Sequence, residues 1–301
     1  MLVRNLKMMP FVGPLGMCLK RFASEEILWR FQKRKILSSI SDFFENATTI
    51  DVTQFFGFKI FHNKGNTLAK RAQHFEADVR EALLTLVKLN NVIGRQSLFA
   101  DIGCNIGLHT FFLKSRYKDM HVLAFDPSPA SWKYFELSLA YNNISGVRLE
   151  KTALYSSDGF QDFFSWGEES SADSLKDTKR VPEVIPNIIK VPVRRLDDFR
   201  NLPNLTLVKL DCEGSEIEIL KGAENTIKKY FPFIVTEINR INRKAFETLD
   251  SDIFSYLKRV DYSIFSMEFE KLEEESFAKS QLRNEENYIL LPNQIITKGL
   301  L

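Results

Sequence analysis

Cysteine is scarce in this chain. Cys18, Cys104 and Cys212 are the only three among 301 residues. An odd, widely spaced set excludes a disulfide framework and the paired spacings of a zinc site, and a reducing, cytoplasmic setting is the expectation. An excess of one charge is missing too. The 41 basic and 39 acidic side chains leave a net +2, whereas nucleic-acid binders usually carry a strongly basic domain or stripe. No nucleic-acid partner is expected. Long apolar runs are also lacking. Residues 8–19 form a run of 12 broken by Pro10, Gly13, Pro14 and Gly16, too short to span a bilayer, so no transmembrane segment is expected. The first 24 residues hold no acid. That suits either a cleaved targeting peptide or a loosely docked arm, and the arm is the reading adopted.

What the chain has in quantity is apolar and aromatic material. Hydrophobic residues make up 44% and include 26 phenylalanines, enough for a large buried core. Ser24 with Glu25 and Glu26 is a helix start, followed by Ile27, Leu28, Phe31, Ile36, Ile40 and Phe43 at roughly helical spacing. Residues 49–62 alternate as one or two strands with a bend at Gly57, and residues 75–89 read as a helix. From residue 98 strands and helices alternate, which predicts a parallel sheet covered on both faces. The expected strands are 98–102, 121–125, 147–153, 205–210 and 232–237, in the spatial order 3-2-1-4-5. Helices are expected near 108–118, 129–142, 214–229 and 243–258, and the runs 260–266 and 286–291 close the sheet. The long connection 155–204 contains Phe163, Phe164 and Trp166, and a partly ordered substrate flap is expected there.

Two segments carry chemistry. In Asp101-Ile102-Gly103-Cys104-Asn105-Ile106-Gly107 an apolar strand ends in a glycine loop that opens a helix, and the next strand ends at Asp126. Free amides at a helix start hold an anion, and an acid at the neighbouring strand end receives ribose hydroxyls. A dinucleotide loop needs a middle glycine. Asn105 stands in its place, which favours S-adenosylmethionine over NAD. Asp101 is positioned to meet the cofactor's ammonium group or to orient the loop. Thr152 and Ala153 end the next strand, where backbone contacts to an adenine edge and ordinary packing fit equally. The second segment, Leu207-Val208-Lys209-Leu210-Asp211-Cys212-Glu213-Gly214-Ser215-Glu216, delivers three carboxylates at a strand end, the side on which open parallel sheets bind ligands. Lys209 lies inside the strand and needs a partner. Glu216 is explained by the helix dipole alone.

These segments, with Arg195-Leu196-Asp197-Asp198-Phe199 and Ile219-Leu220-Lys221-Gly222-Ala223, resemble the FkbM family of S-adenosylmethionine-dependent methyltransferases over roughly residues 75–291. Cys104 and Cys212 depart from it by replacing small or aliphatic residues, and Asp126 stands where glutamate is commoner. The resemblance implies an α/β, Rossmann-like class I methyltransferase domain, residues 75–301, behind an N-terminal arm and helical/β cap, residues 1–74. It also implies methyl transfer to a hydroxyl of a carbohydrate, glycolipid or related small molecule.

Such a transfer needs alignment and a proton acceptor. Asp211 is the leading candidate for base or orienter, followed by Glu213 and by Glu237 at the end of the fifth strand. Three acids at adjacent strand ends suit either Mg²⁺ or sugar hydroxyls, and hydrogen bonds to hydroxyls, without a metal, are the reading adopted. His109, just inside the helix after the glycine loop, is a further candidate near the reacting atoms, and His62 is placed to enter from the cap. Trp166 with Phe163 and Phe164 suits either a platform for a sugar face or core packing. Cys104 and Cys212 follow neighbouring strands and are expected close together, as packing residues before a redox pair. A non-catalytic module that keeps the cofactor pocket, or a non-sugar acceptor, is the alternative.

Overall fold

The computed structural model describes residues 50–297 apart from 67, 68, 70, 96, 97, 168–171, 180–184, 200, 201 and 203. The expected arm and the helix from Ser24 lie outside the described residues. The chain enters as an antiparallel hairpin, β1 (Ile50–Phe55) and β2 (Phe58–Asn63), turned at Phe56 and Gly57. Helix α1 (Ala77–Val92) buries Val79, Leu83, Leu86 and Val87, a stripe that the 3.6-residue repeat places on one face. There follow β3 (Leu98–Ile102), α2 (Leu108–Arg116), β4 (His121–Phe125), α3 (Pro129–Tyr141) and β5 (Val147–Glu150). Next come β6 (Ala153–Leu154), β7 (Gly159–Ser165), β8 (Asn187–Arg194), β9 (Leu205–Leu210), α4 (Glu216–Lys221) and α5 (Glu224–Tyr230). The chain ends with β10 (Phe233–Glu237), α6 (Asn242–Ala245), α7 (Asp250–Val260), β11 (Tyr262–Phe265), β12 (Lys271–Leu272), α8 (Glu274–Leu282), β13 (Asn287–Pro292) and α9 (Asn293–Ile296).

Eight strands form one sheet in the order β12-β11-β13-β10-β9-β3-β4-β5. The five from β10 to β5 run parallel in the expected 3-2-1-4-5 arrangement, and β13 and β11 add an antiparallel edge. This is a Rossmann-like α/β sheet. Parallel strands are covered on both faces and read as continuous apolar runs, and every residue of β9 is buried. Alternate side chains feed opposite layers. Phe99, Ala124, Leu207 and Val235 pack with Leu83, Phe111 and Phe135 on one face. Ala100, Leu123, Val208 and Ile234 pack with Ile217, Ile227 and Leu257 on the other. The β1–β2 hairpin buries Phe55, Ile60 and Phe61 in the first layer. It is tied to α3, where the Phe61 N–H donates to Ser138 Oγ at 2.9 Å and the Lys59 N–H donates to Asn142 Oδ1 at 2.9 Å. Among the described residues, no helix is long and apolar enough to cross a membrane.

Three expectations are corrected. The strand 147–153 is two strands. β5 stops at Glu150, and Ala153 pairs with Val193 in a separate sheet of order β6-β8-β7. The described part of the long connection is ordered. β7 and β8 pair over seven positions, and Phe163 packs with Val191, Val193 and Phe246 in a small core of its own. The helix 214–229 is divided at Gly222. Asp197 reaches across to accept the Asn225 and Thr226 N–H groups at 3.1 and 2.8 Å, and the Asp197 N–H donates to the Gly222 carbonyl at 3.0 Å. A side chain distant in sequence thus supplies the cap that starts α5. The helix 243–258 is also two, because a turn through Glu247 at φ 56° restarts the chain at α7, where Asp252 accepts the Leu249 N–H at 2.8 Å.

Gly222 packs against the chain between β6 and β7. A Cβ there would lie 1.9 Å from the Tyr155 carbonyl oxygen. Gly222→Ala is expected to cost about 1–3 kcal/mol through overpacking. Urea unfolding should show a lowered midpoint at an unchanged m-value, and an unaltered midpoint would contradict the close approach.

Candidate active site

A cleft opens where β3, β4, β9 and β10 end, the side on which parallel sheets bind ligands. Its floor is the stretch Gly103 to Ile106 of the glycine loop. The Gly103 and Cys104 N–H groups both donate to the Phe125 carbonyl at 3.0 Å, and the Asn105 N–H donates to Asp126 Oδ2 at 2.8 Å. The Gly107 N–H donates to the Cys104 carbonyl at 2.7 Å. Most loop amides are therefore already committed to the protein. Among the described residues, no acceptor meets the backbone N–H groups of Ile106, Leu108 and His109, and all three residues line the cleft. Buried amides at a helix start seek a partner, so these three are the donors available to an anion.

The two glycines work through the protein's own packing. Gly103 sits at φ 76°, and a Cβ there would fall 1.8 Å from the Asp211 carbonyl oxygen. Gly107 sits at φ 84°, where a Cβ would strike the Phe135 ring at 2.1 Å. Gly103 lets the ends of β3 and β9 meet at the cleft, and Gly107 lets α2 start against α3. Asn105 lies between them at φ 49°, a conformation its short polar side chain tolerates.

Asp126 lines the cleft and is buried. Its Oδ2 accepts the Asn105 N–H, and its Oδ1 accepts the Ser128 N–H at 2.8 Å. Burial, with smaller contributions from Asp173 and Asp101, raises its pKa to about 7 against the pull of those two amides. Each carboxylate oxygen keeps a second lone pair for a ligand hydroxyl. Asp101 is fully buried and lies beneath the cleft wall. Its Oδ2 accepts the Thr110 N–H at 3.1 Å and the Thr110 hydroxyl at 2.6 Å, which fixes the first turn of α2. Thr152 and Ala153 line the cleft from the second sheet, with the Thr152 hydroxyl donating to the Pro192 carbonyl at 2.9 Å.

The opposite wall is acidic around one cation. Lys209 is buried inside β9, and its Nζ lies 2.6 Å from Asp211 Oδ2. Burial lowers its pKa, but Asp211, Glu76 and Asp101 together leave it raised. Carboxylate oxygens of Glu76, Asp211 and Glu237 all lie within 4.8 Å of one another. Glu76 meets His109, with Oε2 at 2.6 Å from Nε2. Burial raises the Glu76 pKa, yet Lys209, His109 and Arg80 bring it to about 2. Glu237 is pushed the other way, well above the usual carboxylate range, by burial and then by Asp211, Glu213 and Glu216. Its Oε1 is buried without a hydrogen-bond partner among the described residues.

Glu213 lines the cleft, but its carboxylate accepts from the Asn242 side chain and its carbonyl accepts from Ser174 Oγ at 2.9 Å. Asp211 and Glu237 thus converge, and Glu76 stands where Glu213 was expected. Glu216 Oε1 takes the Cys212 and Gly214 N–H groups at 2.9 and 3.1 Å, closing the turn before α4. Three non-glycine residues of the cleft, Glu76, Asn105 and Glu213, hold φ of 45°, 49° and 53°, the kind of strain that collects at functional sites.

Glu76 is the residue that sequence reasoning missed. It precedes α1, outside every motif, and an acid beside a helix start reads as capping. His62 is buried between Thr53 Oγ1 and the Asn63 carbonyl and does not line the cleft. Phe163 reaches the cleft from β7. Cys104 and Cys212 are free thiols whose pKa burial drives well up, so neither is an activated thiolate.

The profile of the Methyltransferase FkbM domain matches residues 101–264, more than half of the 301-residue chain. Methyltransferase 1 of Beauveria bassiana (strain ARSEF 2860) is 26% identical over 160 residues, 47% of this chain and 64% of its own length. Methyltransferase sdnD of Sordaria araneosa is 29% identical over 155 residues, 41% of this chain and 59% of its own. The chain therefore spans less than two thirds of either relative. The crystal structure of Methyltransferase FkbM from Methylobacillus flagellatus KT overlays with a TM-score of 0.43 at 14% identity, covering 96% of this chain and 59% of that one.

Removing the central cation leaves buried carboxylates without a counter-charge. Lys209→Met is expected to destabilise the fold by about 3–5 kcal/mol. In Lys209→Met/Asp211→Leu part of that loss should return. Denaturant unfolding of the double-mutant cycle measures both, and additive losses would mean that the pair is not coupled.

Proposed function

The chain belongs to the FkbM methyltransferase family, and on that premise we propose that it transfers a methyl group from S-adenosyl-L-methionine to a hydroxyl of a carbohydrate, glycolipid or related small molecule. The observation that carries this reading is the pairing of two ligand-binding ends in one cleft. Uncommitted amides at Ile106, Leu108 and His109 suit a carboxylate, and Asp126 at the end of the adjacent strand suits ribose hydroxyls. Gly103 and Asn105 shape the floor between them, Gly107 and Asp101 hold the helix start from beneath, and Thr152 and Ala153 form the wall assigned to the adenine.

When bound, S-adenosylmethionine supplies a methyl already activated on a sulfonium centre. What remains for the protein is alignment and the removal of a proton. The carboxyls at the ends of β9 and β10 suit a polyol. Asp211, which accepts from Lys209 Nζ, can accept a further hydrogen bond, whereas a protonated Glu237 donates one. Neighbouring sugar hydroxyls offer both roles. Glu213 holds the floor of this end through Asn242. Calorimetry with S-adenosylmethionine, paired with a turnover assay over methyl glycosides, tests the reading. Binding with methyl transfer is expected. Binding without transfer to any hydroxylated acceptor would favour a cofactor-binding module, and failure to bind would overturn the cofactor.

Asp126→Ala is expected to weaken cofactor binding by about 1–3 kcal/mol. Ribose hydroxyls donate best to the ionised carboxylate, which predominates above the raised value of about 7. Affinity should therefore rise by roughly tenfold between pH 6 and pH 8, and Asp126→Asn should remove that component. Identical pH profiles for wild type and variant would separate Asp126 from the ribose. Asp211→Asn is expected to cut kcat by about 10–100-fold with cofactor affinity nearly unchanged, because an acceptor-orienting contact costs a few kcal/mol at most. An undiminished rate would remove Asp211 from the reaction.

A further inference from the structure

Methyl transfer to a hydroxyl needs a proton acceptor, and two of the three converging acids, Asp211 and Glu76, are already paired with basic side chains. Asp211 is held by the Lys209 ammonium at 2.6 Å. Glu237 favours its protonated form, and Lys209 together with the hydrogen bond from His109 holds Glu76 at about 2. A base must offer the acceptor a lone pair that is not already engaged. One imidazole lies among these acids. His109 is only 6% exposed, lines the cleft, and sits in the first turn of α2 beside the uncommitted amides. Its Nε2 meets Glu76 Oε2 at 2.6 Å, and its Nδ1 is buried without a hydrogen-bond partner among the described residues.

We propose that His109 is the catalytic base of this site and that Glu76 is its positioning residue. The assignment rests on the methyltransferase reading above and names the group that reading leaves open. Glu76 accepts the Nε2–H, which leaves the lone pair on Nδ1, the tautomer a base requires. The backbone at Glu76 is strained at φ 45°, immediately before α1. The charged groups facing this pair are Arg80 from α1, Lys209 and Asp211 from β9, and Glu237 from β10. In the reaction the acceptor O–H bond breaks and its proton passes to Nδ1. The acceptor oxygen bonds to the methyl carbon while the carbon–sulfur bond breaks, and that electron pair stays on sulfur. The imidazolium then returns its proton to solvent. Because Glu76 lies outside the residues matched by the family profile, 101–264, the base is completed from the N-terminal side of the chain.

Two measurements on the full chain decide the assignment. The first needs no acceptor. With ¹⁵N-labelled histidine, long-range proton–nitrogen correlation should show His109 with its proton on Nε2, shifted downfield and protected from solvent exchange. His109→Gln identifies the signal. Glu76→Gln should remove the protection, and Glu76→Asp should restore part of it. A proton on Nδ1, or protection unaffected by Glu76→Gln, overturns the dyad. The second follows the methyl group from labelled S-adenosylmethionine to whichever methyl glycoside wild type accepts. His109→Gln, which can still donate to Glu76, should lower kcat by about 100-fold or more while cofactor Kd stays within about threefold. A kcat above one third of wild type, or a loss recovered entirely at saturating cofactor, overturns the catalytic role. Failure of wild type to bind S-adenosylmethionine would instead sink the methyltransferase reading, with the proton resonance still judging the dyad on its own.

Discussion

A lysine buried in the middle of a parallel strand is the constraint around which this cleft is built. Lys209 occupies β9 between apolar neighbours, where an unpaired ammonium would be prohibitively costly. It is held by Asp211 two residues on, and by Glu76 and Asp101 through the field they create. That one charge helps to keep Glu76 ionised in a desolvated pocket. Glu237, pushed up by burial and then by Asp211, Glu213 and Glu216, favours its protonated form. Two acids of one residue type, Glu76 and Glu237, are thereby given different roles by their charged neighbours.

The second constraint is steric. The ends of β3 and β9 come so close that only glycine fits at position 103, and α2 can start against α3 only over Gly107. These contacts bring the loop floor and the acidic wall into one cleft. The loop's amides are mostly spent in holding that shape, so ligand recognition passes to the first turn of α2 and to Asp126. The glycines act on a ligand indirectly, by placing those groups.

Much of the fold was legible in the chain. The strands at 98–102, 121–125 and 205–210 agree to the residue, because strands buried on both faces carry apolar runs with sharp polar ends. The pairing of Asp126 with the glycine loop was legible for the same reason, since both mark strand ends. Elements decided by distant partners were not. Asp197 divides one helix by capping α5 across some thirty positions of chain, and Arg195-Leu196-Asp197-Asp198-Phe199 is scaffold as much as signature. Ala153 leaves the main sheet for a partner, Val193, that local pattern does not reveal.

The sequence by itself determined the layered α/β architecture, the strand order and the two segments that flank the cleft, because hydrophobic periodicity and glycine placement act over a few residues. Tertiary structure alone decided which charged groups meet. Glu76 comes to His109 across 33 positions, and Glu213 turns away to Asn242 while Glu237 converges on Asp211. Those choices rest on burial and on the field of Lys209, quantities that exist only once the chain has closed around them.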